Sequence, residues 1–445
     1  MLLAELPYFS DAAYYYSVLR EKPYAIWLDS QGQGRYDILV ADPNQLLISN
    51  RDEIYYFVAG IKQSLPPEQT VFAQLKAMLP HQKIDIGSLP FSGGIVGFLA
   101  YDAGRLLGKI TTTAKDTYQL PEVCFGLYDW AVVVDHQDQR AYLASQALVP
   151  ETQTLWPDLV AMFTSLKPEA QQNDYQVGQW SSNLSFAEYS QSFGRIQSYI
   201  AAGDCYQVNL AQRFHADFSG DLLHYYRQLR ARAQAPYGAY ISTPNSTILS
   251  CSPEQFLAMD YPHITTKPIK GTRARGQTEQ ADDALRQSLM TSEKDHAENV
   301  MIVDLLRNDL SRVCQAHSVK VPSLFALESY TNVHHLVSTV TGTLREDLGP
   351  IDLLQACFPG GSITGAPKCR VMNIIDELEP HRRIIYCGSV LYIGYDWSMN
   401  SSICIRTILA EANQLYCWAG GGIVADSDVE AEYQETLDKV KHLRF

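Results

Sequence analysis

Residues 130–144 read WAVVVDHQDQRAYLA. Two short runs of β-branched and apolar residues, 130–134 and 141–144, flank the polar cluster Asp135-His136-Gln137-Asp138. That is the pattern of a β-hairpin. It recurs along the chain. Residues 238–242 (GAYIS) and 247–251 (TILSC) flank Pro244-Asn245 in the same way. Further strands are read at 24–28, stopped by Asp29-Ser30-Gln31-Gly32, and at 36–41, stopped by Asp42-Pro43. Others lie at 93–101, 206–211, 337–344, 388–395 and 402–410. Strands joined by hairpin turns pair antiparallel, whereas βαβ units would alternate with helices. Helical patterns are interspersed without strict alternation. Ser185-Phe186-Ala187-Glu188 is a capping box opening a helix to about residue 202. A long helical pattern covers 281–313, and shorter ones cover 369–378 and 429–443. Ser252-Pro253-Glu254 reads as a capped helix start. The fold class is α+β with largely antiparallel sheets. The polar, aperiodic stretch 167–184 separates an N-terminal region, 1–165, from a C-terminal region, 185–445.

The whole chain excludes several functions. It has 445 residues, 46% hydrophobic content and a formal net charge of -14. The core can be large, and no basic cluster points to nucleic acid. No apolar run approaches the ~20 residues of a membrane span. The first residues, MLLAELPYFSDAAYYY, lack the basic start of a secretory leader. Nine cysteines are scattered without metal-ligand spacing, as expected of free thiols in a reducing compartment. The expectation is a cytoplasmic protein with neither nucleic acid nor membrane as partner.

Five places invite a chemical reading. Residues 265–276 read TTKPIKGTRARG, with Lys270 between Pro268 and Gly271. Pro268 marks a strand end or edge, and Gly271 lets the backbone turn or approach a ligand. Lys270 is either a solvated turn lysine or a desolvated amine able to act as nucleophile or base. Residues 358–368, FPGGSITGAPK, resemble a phosphate-binding loop only superficially, because Ala366 stands where its lysine should be. Gly420, Gly421 and Gly422 form either a tightly packed turn or a backbone that can approach a carboxylate. Glu432, Glu435 and Lys439 share one face of the last helix, and Asp295 and Glu298 share one face of an earlier helix. Such carboxylates are either solvated or can hold Mg²⁺, which needs one or two of them with water and substrate oxygens. Arg406, inside the apolar run 403–407, needs a partner if buried, either an internal acid or a bound carboxylate.

Taken in order, six segments resemble the chorismate-utilising enzymes. They are PIKGTRARG (268–276), AENVMIVDLLRNDLSRV (297–313), VHHLVSTVTG (333–342), FPGGSITGAPK (358–368), IRT (405–407) and AGGGIVADSDVEAEYQETLDKV (419–440). The N-terminal half is similar more loosely, through IWLDS, RYDILVADP and GGIVGFLAYD. The resemblance implies one intimate domain of two large, mostly antiparallel sheets flanked by helices, with the active site between them. It implies Mg²⁺ on Glu298 and Glu435, holding the ring carboxylate of chorismate. It places Thr272, His335, Tyr392, Arg406, the backbone of Gly420, Gly421 and Gly422, and Lys439 around the substrate. Arg406 and Tyr392 would take the enolpyruvyl carboxylate.

Lys270 separates the branches of this family. The resemblance is to the aminodeoxychorismate synthase branch, where the lysine of PIKGT is the nucleophile. Anthranilate synthases, the alternative, generally carry Ala there. Isochorismate synthases place a lysine base where this chain has Gln207. The implied reaction is attack by Lys270 on carbon 2 of chorismate, with Glu254 as general acid for the hydroxyl leaving carbon 4. The implied partner is a glutamine amidotransferase subunit that supplies ammonia; no such domain, and no fused lyase, is read in the chain. A third reading is a silent subunit that only activates the amidotransferase. The family also has a tryptophan pocket, whose walls resemble Asp29-Ser30 and Pro236-Tyr237.

Overall fold

The computed structural model describes all residues except 51–52, 67, 168–173, 331–332, 442 and 444–445. Two sheets dominate. The first runs Leu2–Leu6, Arg140–Ser145, Trp130–Asp135, Tyr36–Val40, Ile26–Asp29, Tyr237–Ser242, Ser246–Ser252, Thr407–Glu411, Gln414–Ile423, Gln207–Gly220 and Tyr175–Val177. The second runs Ile269–Ala274, Val333–Thr343, His263–Thr266, Gln255–Asp260, Met399–Ile403, Ser389–Gly394, Gly94–Leu99, Val123–Tyr128, Gln45–Asn50, Glu53–Val58 and Ile61–Gln63. The ladders between these strands are antiparallel, as the hairpins predict. Both halves of the sequence contribute strands to both sheets.

Side-chain alternation divides the core. Ile26, Ile38 and Val133 join a cluster that reaches the second sheet through Leu47, Ile95 and Phe125. Their neighbours Trp27, Leu39, Val132 and Val134 point to the opposite face. There they meet Tyr15 and Tyr16, Leu159 and Phe163, and Leu223 and Tyr225. These come from the helices Ala13–Ser17, Pro150–Thr164 and Leu222–Ala233. Two faces buried at once explain why 130–135 is apolar at nearly every position.

Several local expectations change. The capping box holds: Glu188 N donates to Ser185 Oγ, and the helix runs Phe186–Ala201. The single helical pattern at 281–313 is two helices, Glu279–Met290 and Glu293–Ser311. Ser292 ends the continuity by capping the second helix, its side chain accepting from Asp295 N. Ser252-Pro253-Glu254 starts no helix. It is the crossing from Ser246–Ser252 in the first sheet to Gln255–Asp260 in the second. The run 402–410 is likewise two strands, Met399–Ile403 and Thr407–Glu411, with Cys404-Ile405-Arg406 crossing back between sheets. The glycine run 420–422 lies inside the strand Gln414–Ile423 and is not a turn. Of the stretch 167–184, residues 168–173 lie outside the described residues, while Tyr175–Val177 and 181–182 form short strands.

Candidate active site

The two crossings lie side by side. Ser250 pairs with Thr407 in the first sheet, and Gln255 with Ser402 in the second. Ile403 N donates to Glu254 O at 3.0 Å, and Cys251 N to Arg406 O at 3.1 Å. Swapping sheets takes each chain out of its ladder, so the side chains of Glu254 and Arg406 are turned into the gap. Arg406 adopts a left-handed backbone with φ 51°, uncommon for a non-glycine residue and often found at functional sites.

The gap is a cavity of about 610 Å³. The strand Ile269–Ala274, at the edge of the second sheet, supplies Lys270 and Thr272. Gly271 on this strand has φ +85°, and a Cβ there would stand 2.8 Å from Leu289 and 2.9 Å from Asp295, so a larger residue is excluded. Lys270 is mostly buried; its Nζ donates to Ser362 O at 3.1 Å and stands 3.8 Å from Glu298 Oε2. Ser362 Oγ donates to Glu254 Oε1 at 2.9 Å. Burial pushes the Glu254 carboxyl above its ordinary range, against the opposing effects of the Lys270 charge and the Ser362 hydroxyl. The solvated-turn reading of Lys270 is therefore set aside.

Opposite, the strand Gln414–Ile423 and the helix Val429–Val440 supply Gly420, Gly422, Glu432, Glu435 and Lys439. Lys439 Nζ lies 2.6 Å from Glu435 Oε1 and donates to Gly420 O at 2.8 Å. Lys294 Nζ lies 3.1 Å from Glu432 Oε1. Each glutamate thus faces a lysine. Burial raises the Glu298 carboxyl, with Lys270 and Lys294 opposing. For Glu435 the desolvation is outweighed, chiefly by Lys439, and its carboxyl is lowered. Among the described residues, no group of three or more acidic, histidine or cysteine side chains is arranged to hold a metal ion by itself. Two carboxylates completed by water and substrate oxygens are enough for Mg²⁺. Gly421 leaves the approach open: a Cβ there would stand 2.6 Å from Glu432 Oε2 and 3.7 Å from Glu435 Oε1. Glu298, Glu432 and Glu435 line the same cavity, so the oxygen-rich donor set fits a hard divalent cation.

Thr272 Oγ1 and His335 Nδ1 are 2.8 Å apart, on paired strands. Burial, with the Arg406 charge, pushes the His335 imidazole down to about 3, so the ring is neutral. The Arg406 guanidinium makes no ion pair and no side-chain hydrogen bond among the described residues. Among the described residues no acid pairs with Arg406, so of its two readings the internal salt bridge finds no support there.

Tyr392 is not in this cavity. It lies in the strand Ser389–Gly394, against Phe91, and lines a second cavity of about 380 Å³. The tyrosine that does line the first cavity is Tyr386, just ahead of that strand. The second cavity brings together Asp29, Ser30, Pro236 and Tyr237, the residues assigned to a tryptophan pocket. Sequence reasoning passed over Ser362, Asn209 and Lys294, which line the first cavity. It placed Glu432 on the right helix face without making it a ligand. Its i, i+3 relation to Glu435 was the available signal.

The chain is similar to known proteins over nearly its whole length. It is 44% identical over 448 residues to the aminodeoxychorismate synthase component 1 of Salmonella typhimurium, covering 98% of this chain and 96% of that protein. It is 35% identical to the protein of that name from Bacillus subtilis, covering 94% of this chain and 91% of that one. Its structure resembles anthranilate synthase component I of Streptococcus pneumoniae with a TM-score of 0.83, at 30% identity and 92% coverage of each chain. The menaquinone-specific isochorismate synthase of Escherichia coli shares the fold, with a TM-score of 0.74 at 18% identity over 99% of this chain and 93% of that chain. The chorismate binding enzyme family matches residues 23–444, and the chain belongs to it.

Proposed function

We propose that this chain converts chorismate and ammonia into 4-amino-4-deoxychorismate, as the chorismate-binding component of an aminodeoxychorismate synthase serving p-aminobenzoate and folate synthesis. The observation that carries the reading is Lys270 itself: its amine lies inside the cavity, on the same residue, Ser362, that hydrogen-bonds Glu254.

Arg406 binds the enolpyruvyl carboxylate bidentately, with Thr272 and neutral His335 orienting the ring. For the attack on carbon 2, Lys270 acts as the free amine. Its lone pair forms the carbon–nitrogen bond, the two ring double bonds shift round the ring, and the bond from carbon 4 to oxygen breaks. Glu254, whose carboxyl burial pushes above its ordinary range, gives its proton to the leaving hydroxyl, which departs as water. Ammonia then attacks carbon 4, the double bonds shift back, and the bond to Lys270 breaks. The Glu254 carboxylate takes a proton from the new ammonium. The enolpyruvyl group is retained. Glu298 and Glu435 would hold Mg²⁺, with Glu432 beside them. When bound, the ion supplies positive charge for the ring carboxylate and the developing negative charge on the ring.

The reading extends to a glutamine amidotransferase subunit as ammonia source and to tryptophan in the second cavity. No helix among the described residues is long and apolar enough to cross a membrane. The nine cysteines are free, eight of them buried, which supports a cytoplasmic location. The test is product analysis with chorismate, Mg²⁺ and ammonium. The expected product releases no pyruvate until a lyase is added. Fluorescent anthranilate with pyruvate release would assign the chain to the anthranilate branch, and no turnover would leave it a silent subunit.

A further inference from the structure

The turn at Ser362 touches both side chains that react. Lys270 Nζ donates to its carbonyl at 3.1 Å, and its hydroxyl donates to Glu254 Oε1 at 2.9 Å. Ser362 is only 8% exposed, so water does not compete freely for either contact. The turn is tied on every side. Thr364 Oγ1 donates to Gly360 O at 2.8 Å, and Asn209 N donates to Thr364 O at 2.9 Å. Arg383 Nη1 donates to Ile363 O at 3.0 Å. Arg383 is itself buried and held by both oxygens of Glu379, at 2.9 and 2.6 Å. A buried, fully partnered ion pair therefore backs the turn from behind.

A protonated carboxyl has one hydroxyl oxygen and one carbonyl oxygen. The oxygen that accepts a hydrogen bond from a serine is the carbonyl one. Oε1 of Glu254 takes Ser362, so an acid proton on this carboxyl sits on Oε2. Against the upward push of burial on this carboxyl work the Lys270 charge, this contact, a hydrogen bond from the Ile269 backbone N–H and the Lys439 charge.

We infer that Ser362 is a positioning residue for the amination: its hydroxyl fixes the acid proton of Glu254 on Oε2, and its carbonyl holds the Lys270 amine in range. One rigid turn then registers bond making at carbon 2 with bond breaking at carbon 4. In the first step the Oε2 proton leaves with the hydroxyl as water. In the second, Oε2 takes a proton back from the ammonium at carbon 4. Oε1 keeps Ser362 throughout. The inference rests on the roles given above to Lys270 and Glu254.

The test compares wild type, Ser362→Ala and Ser362→Thr, each checked for an unchanged melting temperature. Ser362→Ala is expected to lose roughly 10- to 100-fold in kcat, part of what general acid catalysis contributes, with KM within about threefold. Ser362→Thr, which keeps the hydroxyl, is expected to recover most of that loss. If Ser362→Ala does not fold, Ser362→Cys replaces it, its thiol being a weak donor. Rapid quenching with chorismate and no ammonia, read by mass spectrometry on the Lys270 peptide, supplies the second measurement. An adduct that forms in wild type and more slowly in Ser362→Ala supports the inference. An equal rate in both, a loss confined to KM, or an equal loss in Ser362→Thr overturns it while leaving Lys270 as nucleophile. No adduct in wild type overturns the lysine reading and this inference with it.

Discussion

The two cavities are built from the same pair of sheets, but they differ in how far their charged groups are paired. Around the second cavity the charges are closed among themselves. Asp29 is clasped by Arg230 at 2.7 Å on both oxygens and takes the Tyr226 hydroxyl at 2.9 Å, while Arg35 lies 2.7 Å from Asp135. In the first, Arg406 has no ion pair among the described residues, and Lys270 stands 3.8 Å from its nearest paired carboxylate. Closed pairs hold shape. A group that must bind an anion or attack a substrate has to be left short of partners, and a crossing between sheets, for Arg406, and a sheet edge, for Lys270, are where the chain can do that.

That contrast can be broken at four points. The largest effect is expected from Lys270→Ala, which should lower amination by at least about a thousandfold, as removal of a nucleophile does, while chorismate binding by calorimetry changes little. Near-normal ammonia-dependent turnover in this variant would end the covalent reading. Asp29→Ala tests the closed side. It leaves Arg230, in a mostly buried position, with Asp11 at 2.9 Å as its remaining acid partner and should cost about 3 kcal/mol in urea unfolding, with kcat unchanged in the folded protein. Arg406→Ala tests the open side. It should raise KM for chorismate about 10- to 100-fold, the worth of a charged hydrogen-bonded pair, without loss of stability. A stability loss as large as that of Asp29→Ala would mean that Arg406 has a hidden partner.

The smallest effect is a pH dependence at His335. Its folded value is about 3 against 6.5 when free, so between these values the unfolded chain binds the extra proton. Stability is therefore full above pH 6.5 and falls as pH drops through that window, by at most about 1.4 kcal/mol per unit. Denaturation midpoints of wild type and His335→Asn at pH 7 and pH 5 measure it. The gap between them should change with pH.

Much of this arrangement is legible in residues alone. The hairpin at 130–144, the capping box at Ser185 and the carboxylate faces of the last helices are local patterns, and they fold as they read. The two crossings are not local. Ser252-Pro253-Glu254 has the composition of a helix start, and only its pairing with the 399–403 strand makes it a sheet exchange. Arg406 follows apolar strand residues with no glycine to announce a left-handed backbone. Ser292 caps a helix inside a pattern that periodicity would continue. Tyr386 and Tyr392 lie on one segment, and alternation cannot tell which end of a strand reaches a cavity. What the residues lacked in each case was the identity of a partner far away in sequence.

The same remoteness governs how the chain comes to be folded at all. Ser389–Gly394 finds its neighbour in Gly94–Leu99, and Tyr237–Ser242 finds its own in Ile26–Asp29. The first ladder cannot close while the ribosome still holds the C-terminal third, nor the second before the middle of the chain has emerged. The early strands emerge with bare edges and must wait for their partners, so assembly is slow and exposed to aggregation. An isolated 185–445 fragment would inherit those bare edges permanently, which makes the N-terminal strands as necessary to a usable enzyme as the lysine itself.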